Sequence, residues 1–573
     1  MADEHNRDRT TEDERRPSAA LLWLILAVAL LLRLYGLGHR GVLLWDEGSY
    51  LMEGRFIATG VKAAAWKLAG KLPWVEAPKP EQVRALVSGI APGIMGKPGH
   101  AGLVALMMLV FGDTDYAPAL VSVLCSLVMI CLVWRLGAAY CGPIGAVASA
   151  GLLAVSPYML FYGRVGLAEL DFALGGLLVM LLLWHHWSRQ EPPRSRSLLW
   201  LGAVTGLAFL LNYRGFILLA LCMLWLAALM WHMKKPLLHA AGALLLVAAG
   251  FALPLLATEG LYHVGTAVAR SVHPTTEMRT YFQQLHWLAS NHGSQPPTAA
   301  NLGTYPYLFA IWEGPGLVLL LIGSAIALAR RRWQDLLVLS FFYLPMLQWS
   351  VRHDAYARLA VLNLPMYGLL AGLAVAAMWQ AGRMQTARVL SGSRQAAARA
   401  AAVALATGFL LWAGWQGLPI LRAQSAHEQA LAMTADLAQG PLVDTNPGVA
   451  VVYEQYYDLH DVIRLPEERG EALEALRAVR DRGGKYLVTD MQRFVSGTQL
   501  MSLARYRASA CHIIDTHCIP IWQTAHMAGL FRHFCFEHNW GRAQTVELYA
   551  EYHDEAEKMR VYLLDDVIAA LDR

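Results

Sequence analysis

Charge is what this chain has least of: 16% of its 573 residues are Asp, Glu, Lys or Arg while 56% are apolar, which excludes a soluble chain of ordinary composition. No tandem repeat or long low-complexity segment interrupts it. The first apolar core runs directly into Leu32-Arg33-Leu34-Tyr35 with no small-residue cleavage site behind it, which excludes a cleaved secretory signal and leaves a retained signal anchor. Cysteine is sparse, seven in all, and Cys125, Cys131, Cys141 and Cys222 lie in or beside apolar segments as core fillers. The formal charge of +4 carries little meaning as a total, because in such a chain the placement of Lys and Arg holds the information, and no nucleic-acid partner is expected.

What is present is a series of apolar blocks long enough to cross a bilayer core. They fall near 19–37, 116–139, 143–162, 167–188, 197–213, 214–234, 237–258, 314–332, 333–351, 356–382 and 400–420, about eleven spans. With the N-terminal tail 1–18 in the cytoplasm, alternation puts Arg135, the stretch His185 to Arg196, Lys234-Lys235, Arg330-Arg331-Arg332 and the Arg383 to Arg399 connector on the cytoplasmic side, as the positive-inside rule requires. The run Ala101 to Phe111 is too short to span and is expected to be re-entrant or interfacial. Lys62, Trp66, Lys67, Lys71 and Trp74 alternate cation and aromatic at helical spacing, as an amphipathic helix in the headgroup layer would.

Residues 19–420 therefore form a transmembrane domain whose first external loop spans 38–115, and residues 421–573 form an extracytoplasmic unit of about 150 residues, enough for its own core. In that unit Val449 to Tyr453 and Lys485 to Asp490 read as strands and Glu468 to Arg482 as a helix, an α/β arrangement. No residue set there pairs a nucleophile with a base, so its expected part is to pack over the bundle and shape the acceptor path. A Cys511–Cys518 disulfide is the favoured reading in an oxidising compartment, with Cys535 left over; His512, His517, His533 and His538 keep a zinc site as the alternative.

The chemistry gathers on the external face. Trp45-Asp46-Glu47-Gly48-Ser49-Tyr50 sets two carboxylates beyond the first span; Ser156-Pro157 leads to Arg164, Glu169 and Asp171; Asn212-Tyr213-Arg214-Gly215 forms a hairpin; Tyr356-Ala357-Arg358 opens a late span. Acids near membrane segments are expensive unless used. The order of motifs, from Arg33-Leu34 through Trp45-Asp46-Glu47, the Lys97-Pro98 element, Ser-Pro with its Arg and acid, the basic-Gly hairpin and the Arg358 helix start with Pro365, resembles the bacterial branch of the GT-C glycosyltransferases. Those are relatives of the protein O-mannosyltransferases and of the aminoarabinose transferase that acts on lipid A. The resemblance covers roughly Leu21 to Leu373.

It implies a polytopic α-helical GT-C bundle in a bacterial inner membrane, a polyprenyl-phosphate-linked sugar as donor, and transfer on the extracytoplasmic face to a glycan, lipid or protein acceptor. By the same resemblance Asp46 matches the catalytic acid, Glu47 its neighbour and Glu169 the second acid; Lys97, Arg164, Arg214 and Arg358 fall at or near positions that hold the donor phosphate or order the site. Two departures bear on phosphate geometry: Lys97-Pro98-Gly99 stands where Lys-Pro-Pro is usual, and Arg214 where lysine is usual. The chemistry agrees, since glycosyl transfer from a lipid phosphate needs a base for the acceptor hydroxyl and cations for the departing phosphate. A divalent cation, Mg2+ or Mn2+, is an alternative for part of that cationic set, with Asp46, Glu47 or Glu169 as oxygen ligands. A transporter of a lipid-linked or anionic substrate is the competing reading; ionisable residues at one face, and no internal repeat, count against it.

Overall fold

A computed structural model describes residues 18–69, 96–189, 191–272, 279–292, 299, 301–352, 356–380, 392–435, 440–453, 455–457, 461–494, 503–530 and 542–573. Its first part is helical throughout: α1 (Ala19–Leu34), α2 (Trp45–Ala69), α3 (Pro98–Phe111), α4 (Ala117–Val155), α5 (Pro157–Tyr162), α6 (Glu169–Arg189), α7 (Ser195–Leu211), α8 (Phe216–His232), α9 (Leu237–Val272), α10 (Tyr281–His292), α11 (Thr304–Glu313), α12 (Pro315–Arg330), α13 (Trp333–Ser350), α14 (Leu364–Gln380) and α15 (Gly392–Arg422). Proline stands in the first turn of α3, α4, α5 and α12, where its fixed φ suits the helix and its missing N–H costs no bond.

Each of the eleven apolar segments is helical, and seven helical segments among the described residues are long and apolar enough to cross a membrane. That count takes α4 once, yet α4 is two helices. Gly142, at φ 80° and ψ −176°, breaks the ladder before Pro143, and a Cβ on Gly137 would lie 3.1 Å from the Ala146 Cα. Nine residues of continuous helix would separate those positions by about 13 Å, so the chain reverses here. The α14 helix lies close along the second limb through its glycines: Gly368 meets Leu153, and Gly372 meets Ser149 and the Gly145 carbonyl. The stretch 357–380 is almost wholly enclosed, whereas α1, α9 and α15 turn exposed Trp23, Leu31, Leu253, Leu411 and Trp415 outward.

The bundle has two chemically distinct ends. At one, Arg330 pairs with Asp335 (3.4 Å), which also accepts from Tyr140 Oη (2.8 Å) beside the Gly142 turn. At the other lie Asp46, Glu169 and Arg358; α12 runs between the ends, from Pro315, just after Glu313 beside Ser156, to Arg330. Lys62 lies on α2; the side chains of Trp66 and Lys67, and residues Lys71 and Trp74, fall outside what is described.

After α15 the chain forms α16 (His427–Ala435), β1 (Leu442–Asp444), α17 (Pro447–Ala450), β2 (Val462–Arg464), α18 (Arg469–Asp481), β3 (Tyr486–Thr489), α19 (Leu503–Ala508), α20 (Ala510–His517), β4 (Trp522–Ala525), α21 (Arg542–Ala556), β5 (Lys558–Leu563) and α22 (Leu564–Asp572). The strands make one sheet in the order β2-β1-β3-β5-β4; β1 is parallel to β2 and β3, and β5 is antiparallel to β3 and β4. The expected strand at Val449 to Tyr453 is wrong. Asn446-Pro447 starts the short helix α17 there, and the strand lies earlier, at Leu442–Asp444.

The expected Cys511–Cys518 disulfide is also absent; both thiols are free. Cys511 sits in the first turn of α20 and Cys518 caps its end, about 10 Å along the helix axis and beyond the reach of a disulfide. His512 and His517 are on the same helix, while His533, Cys535 and His538 lie outside the described residues.

Candidate active site

The sheet unit rests directly on the start of α2. A Cβ on Gly48 would lie 2.3 Å from the Gly448 carbonyl of α17, and one on Gly448 would strike the Trp45 ring at 2.7 Å, so two glycines allow backbone-to-backbone contact. Arg55 Nη1 donates to the Val452 carbonyl (2.6 Å), the Val42 N–H to Tyr453 Oη (3.2 Å), and the Ser425 N–H to the Arg40 carbonyl (2.7 Å).

Asp46 and Glu47, adjacent in the first turn of α2, face different partners. Glu47 is fully buried and receives four hydrogen bonds, from Arg40 Nη1 (3.1 Å) and Nη2, the Leu43 N–H (2.9 Å) and the Gly166 N–H (2.8 Å). Its oxygens are spent on holding the loop before α2 and the loop before α6. Asp46 instead pairs with Arg358 across 312 residues of chain, and both keep solvent contact, 18% and 15% exposed.

Around that pair the other predicted residues assemble. Arg358 lies over the Tyr356 ring at 4.9 Å and Arg214 over the same ring at 5.7 Å, so one aromatic spaces the two guanidinium groups. Beneath them, Glu169 Oε1 accepts from Lys97 Nζ (3.1 Å) and Asn212 Nδ2 (3.3 Å), while the Asn212 side chain accepts from the Arg214 N–H (3.1 Å). The charges of Lys97, Arg358 and Arg214 all act on Glu169. Lys97 Nζ also sits over the Tyr50 ring (5.1 Å). Burial, then the carboxylates of Asp46 and Glu169, hold the Tyr50 phenol well above the ordinary tyrosine range. The departure at Gly99 has a steric reason: any Cβ there would come within 3.0 Å of the Leu210 backbone, which leads into Asn212.

Two sequence-derived assignments do not join the cluster. Arg164 Nη1 donates to the carbonyls of Leu32 (3.0 Å), Arg33 (3.1 Å) and Tyr35 (2.7 Å), capping the open C-terminal end of α1. Its guanidinium thus caps that helix end, away from the cluster around Asp46. Glu47 is likewise bound up with Arg40. Asp46, Glu47 and Glu169 thus each pair with a different cation, and among the described residues the three do not form a group of metal ligands.

The structure adds neighbours that the sequence did not single out. His100 Nδ1 meets Asp171 Oδ2 at 2.8 Å, and the His100 ring stands edge-on to Tyr50 at 4.7 Å. Tyr50 lies four residues after Asp46 on α2 and His100 three after Lys97, the helical spacings that bring side chains to one face and could have flagged both.

Residues 96–254 match a family model described as dolichyl-phosphate-mannose-protein mannosyltransferase, a stretch holding Lys97, Arg164, Glu169 and Arg214 but neither Asp46 nor Arg358. The apo oligosaccharyltransferase of Archaeoglobus fulgidus superposes over 95% of this chain and 88% of its own, with a TM-score of 0.55 at 11% identity. The chain has the GT-C fold. The same bundle is shared with oligosaccharyltransferase AglB from Archaeoglobus fulgidus in complex with an inhibitory peptide and a dolichol-phosphate, at TM-score 0.52, 13% identity, and 82% and 69% coverage of the two chains. It is shared too with ArnT from Cupriavidus metallidurans bound to undecaprenyl phosphate, at TM-score 0.50, 14% identity, and 82% and 93% coverage. No curated protein sequence matches the chain. On the GT-C bundle the cluster occupies one end, with Asp46, Arg214 and Arg358 at its partly exposed rim and Lys97, Glu169, Asn212 and Tyr50 buried below.

Proposed function

We propose that this chain is a membrane glycosyltransferase that moves a sugar from a polyprenyl-phosphate donor to an acceptor hydroxyl. The observation that carries this reading is the rim-and-floor cluster, in which Lys97, Arg214 and Arg358 gather around the carboxylates of Asp46 and Glu169. Three cations at one place suit a phosphate. The lipid phosphates held by ArnT and AglB support the same donor class.

In this mechanism the acceptor oxygen attacks the anomeric carbon, the bond from that carbon to the phosphate oxygen breaks, and Asp46 takes the hydroxyl proton. The phosphate leaves with its negative charge on Arg358 and Arg214, whose planar forks can each bind two oxygens. Arg358 begins paired with Asp46. A phosphate that draws Arg358 away frees the carboxylate as donor binds, so the base gains proton affinity only when there is a sugar to transfer. Lys97 and Asn212 fix Glu169, which orders Arg214 through the Asn212 turn.

The domain reading follows: a cytoplasmic tail 1–18, a transmembrane domain 19–420 and an extracytoplasmic α/β unit 421–573, in a bacterial inner membrane. The sheet's seat on α2 next to Asp46 favours a part in shaping the acceptor path. Incubating the purified chain with polyprenyl-phosphate sugar and a panel of glycan, lipid and protein acceptors tests the activity; solute flux in proteoliposomes with no lipid turnover would replace it with a carrier. Cysteine labelling near Gly440 in intact cells tests the sidedness, and protection outside would overturn it.

A further inference from the structure

The C-terminal sheet holds a second constellation, away from the cluster around Asp46. His427 in the first turn of α16, Asp444 at the end of β1, Asp490 just after β3 and His526 just after β4 come together, each no more than 1% exposed. Ligand-capable atoms of His427, Asp490 and His526 all lie within 4.8 Å of one another. His427 Nε2 is 3.5 Å from Asp490 Oδ2 and 4.0 Å from Asp444 Oδ1. Neither His427 Nε2 nor Asp444 Oδ2 makes a hydrogen bond, although both are buried. Unpaired polar atoms of this kind are costly and call for a partner.

The place in the fold is telling. The chain leaves β1 for β2 on one side and then crosses to β3 on the other, so the connections diverge between β1 and β3. In sheets of this order, ligands bind in the crevice at the carboxyl ends of the strands at that divergence. Asp444 and Asp490 stand at those two ends.

Hydrogen bonds set the tautomers. The Ala426 N–H donates to His526 Nδ1 (3.1 Å), so a neutral His526 carries its proton on Nε2, which faces Asp490 Oδ2 at 4.0 Å, beyond hydrogen-bond distance, and is itself unpaired. His427 Nδ1 faces Ser425 Oγ (3.3 Å); a proton there leaves the Nε2 lone pair directed at the two carboxylates. Asp490 is oriented by Thr445 Oγ1 (2.9 Å), the Gln492 N–H (2.8 Å) and Asn446 Nδ2 (3.1 Å), and Asp444 Oδ1 by the Asn446 N–H (2.6 Å). Among the described residues the two imidazoles are the only cationic-capable side chains within 4.0 Å of either carboxylate. Two buried carboxylates lacking a lysine or arginine leave a charge that one divalent cation balances.

We propose that His427 Nε2, Asp444 and Asp490 bind one divalent cation of the Zn2+ or Mn2+ class, with His526 a positioning residue whose Nε2–H faces Asp490 and would bond to it as the site contracts on the ion. Bonds of about 2.1 Å place donor atoms roughly 3.4 Å apart around a tetrahedral ion, so the 3.5 and 4.0 Å separations from His427 Nε2 need only a small contraction. The ion would join β1 and β3 to the segment after α15, which Ser425 ties to Arg40, the partner of Glu47. It is therefore a structural clasp between the sheet and the loop that carries the acid-bearing helix.

The test uses the full chain in detergent without a polyhistidine tag, stripped with a chelator and then given Zn2+ or Mn2+. One ion per chain after gel filtration, measured by elemental mass spectrometry, with a higher unfolding temperature on reloading, is the expected result. Asp444→Asn and His427→Gln should lose the ion, and His526→Gln should keep it with affinity weakened about 10–100-fold. Stripped wild-type protein that takes up no ion overturns the proposal without reliance on any variant. So does full occupancy in both His427→Gln and Asp444→Asn.

Discussion

Asparagine at position 46 and glutamine at position 47 should produce losses of similar size in different observables. Glu47 is fully enclosed and accepts from Arg40 and two backbone N–H groups. Glu47→Gln removes the charge opposite a buried guanidinium and turns an amide N–H2 toward groups that are themselves donors. Breaking a buried ion pair from one side destabilises by about 3–5 kcal/mol, so this variant should show a lower unfolding temperature in detergent and reduced recovery. The folded fraction should retain turnover within a few-fold. Asp46 and Arg358 keep solvent contact, so Asp46→Asn should change stability by about 1 kcal/mol or less. As the base, however, it should lower turnover by about 10²–10⁴, which is roughly 3–5 kcal/mol of activation free energy. Thermal unfolding and single-turnover transfer from a polyprenyl-phosphate sugar, run on the same preparations, separate the two. Normal turnover in Asp46→Asn refutes the assignment, as does a Glu47→Gln variant with wild-type stability and no transfer.

Arg358→Ala should weaken donor-lipid binding as well as turnover, because its bonds to the phosphate exist before the transition state; lipid-binding titration checks this against an unchanged dissociation constant. Arg164→Ala should uncap α1, leaving three carbonyls without their donor, and lower the unfolding temperature while donor affinity stays as it was. Glu313, enclosed beside Ser156 and Tyr158, is pushed up to about 7 by burial, which outweighs the bonds that those two residues donate. Its folded form holds the proton more tightly than the unfolded chain, so its contribution to stability is complete below the ordinary value of 4.5 and is lost as pH rises through 7. Glu313→Gln, which mimics the protonated acid, should flatten the unfolding temperature between those pH values. Above pH 8 it should gain on the order of 3 kcal/mol, and an unchanged pH slope would contradict this.

The sequence alone determined the helical bundle, because an apolar run of some twenty residues has few alternatives in a bilayer, and each of the eleven runs is helical. The division into runs 116–139 and 143–162 put a reversal where Gly142 makes one. The order of motifs was enough to bring forward Asp46, Lys97, Glu169, Arg214 and Arg358, since short local signals survive when overall identity to other GT-C structures is as low as 11%. What the sequence left open was direction. Asp46 and Glu47 are neighbours of the same charge, and only the arrival of Arg358 on one side and Arg40 on the other gave them different partners. Arg164 reads like any membrane-face arginine until the end of α1, some 130 residues earlier, presents three carbonyls to it. The strand expected at Val449 became a helix because Pro447 begins one and because packing against Gly48 rewards close backbone approach over a ladder. His427, Asp444, Asp490 and His526 span a hundred residues with no recognisable spacing; sheet order alone brought them together, since β1 and β3 are neighbours in space and not in the chain.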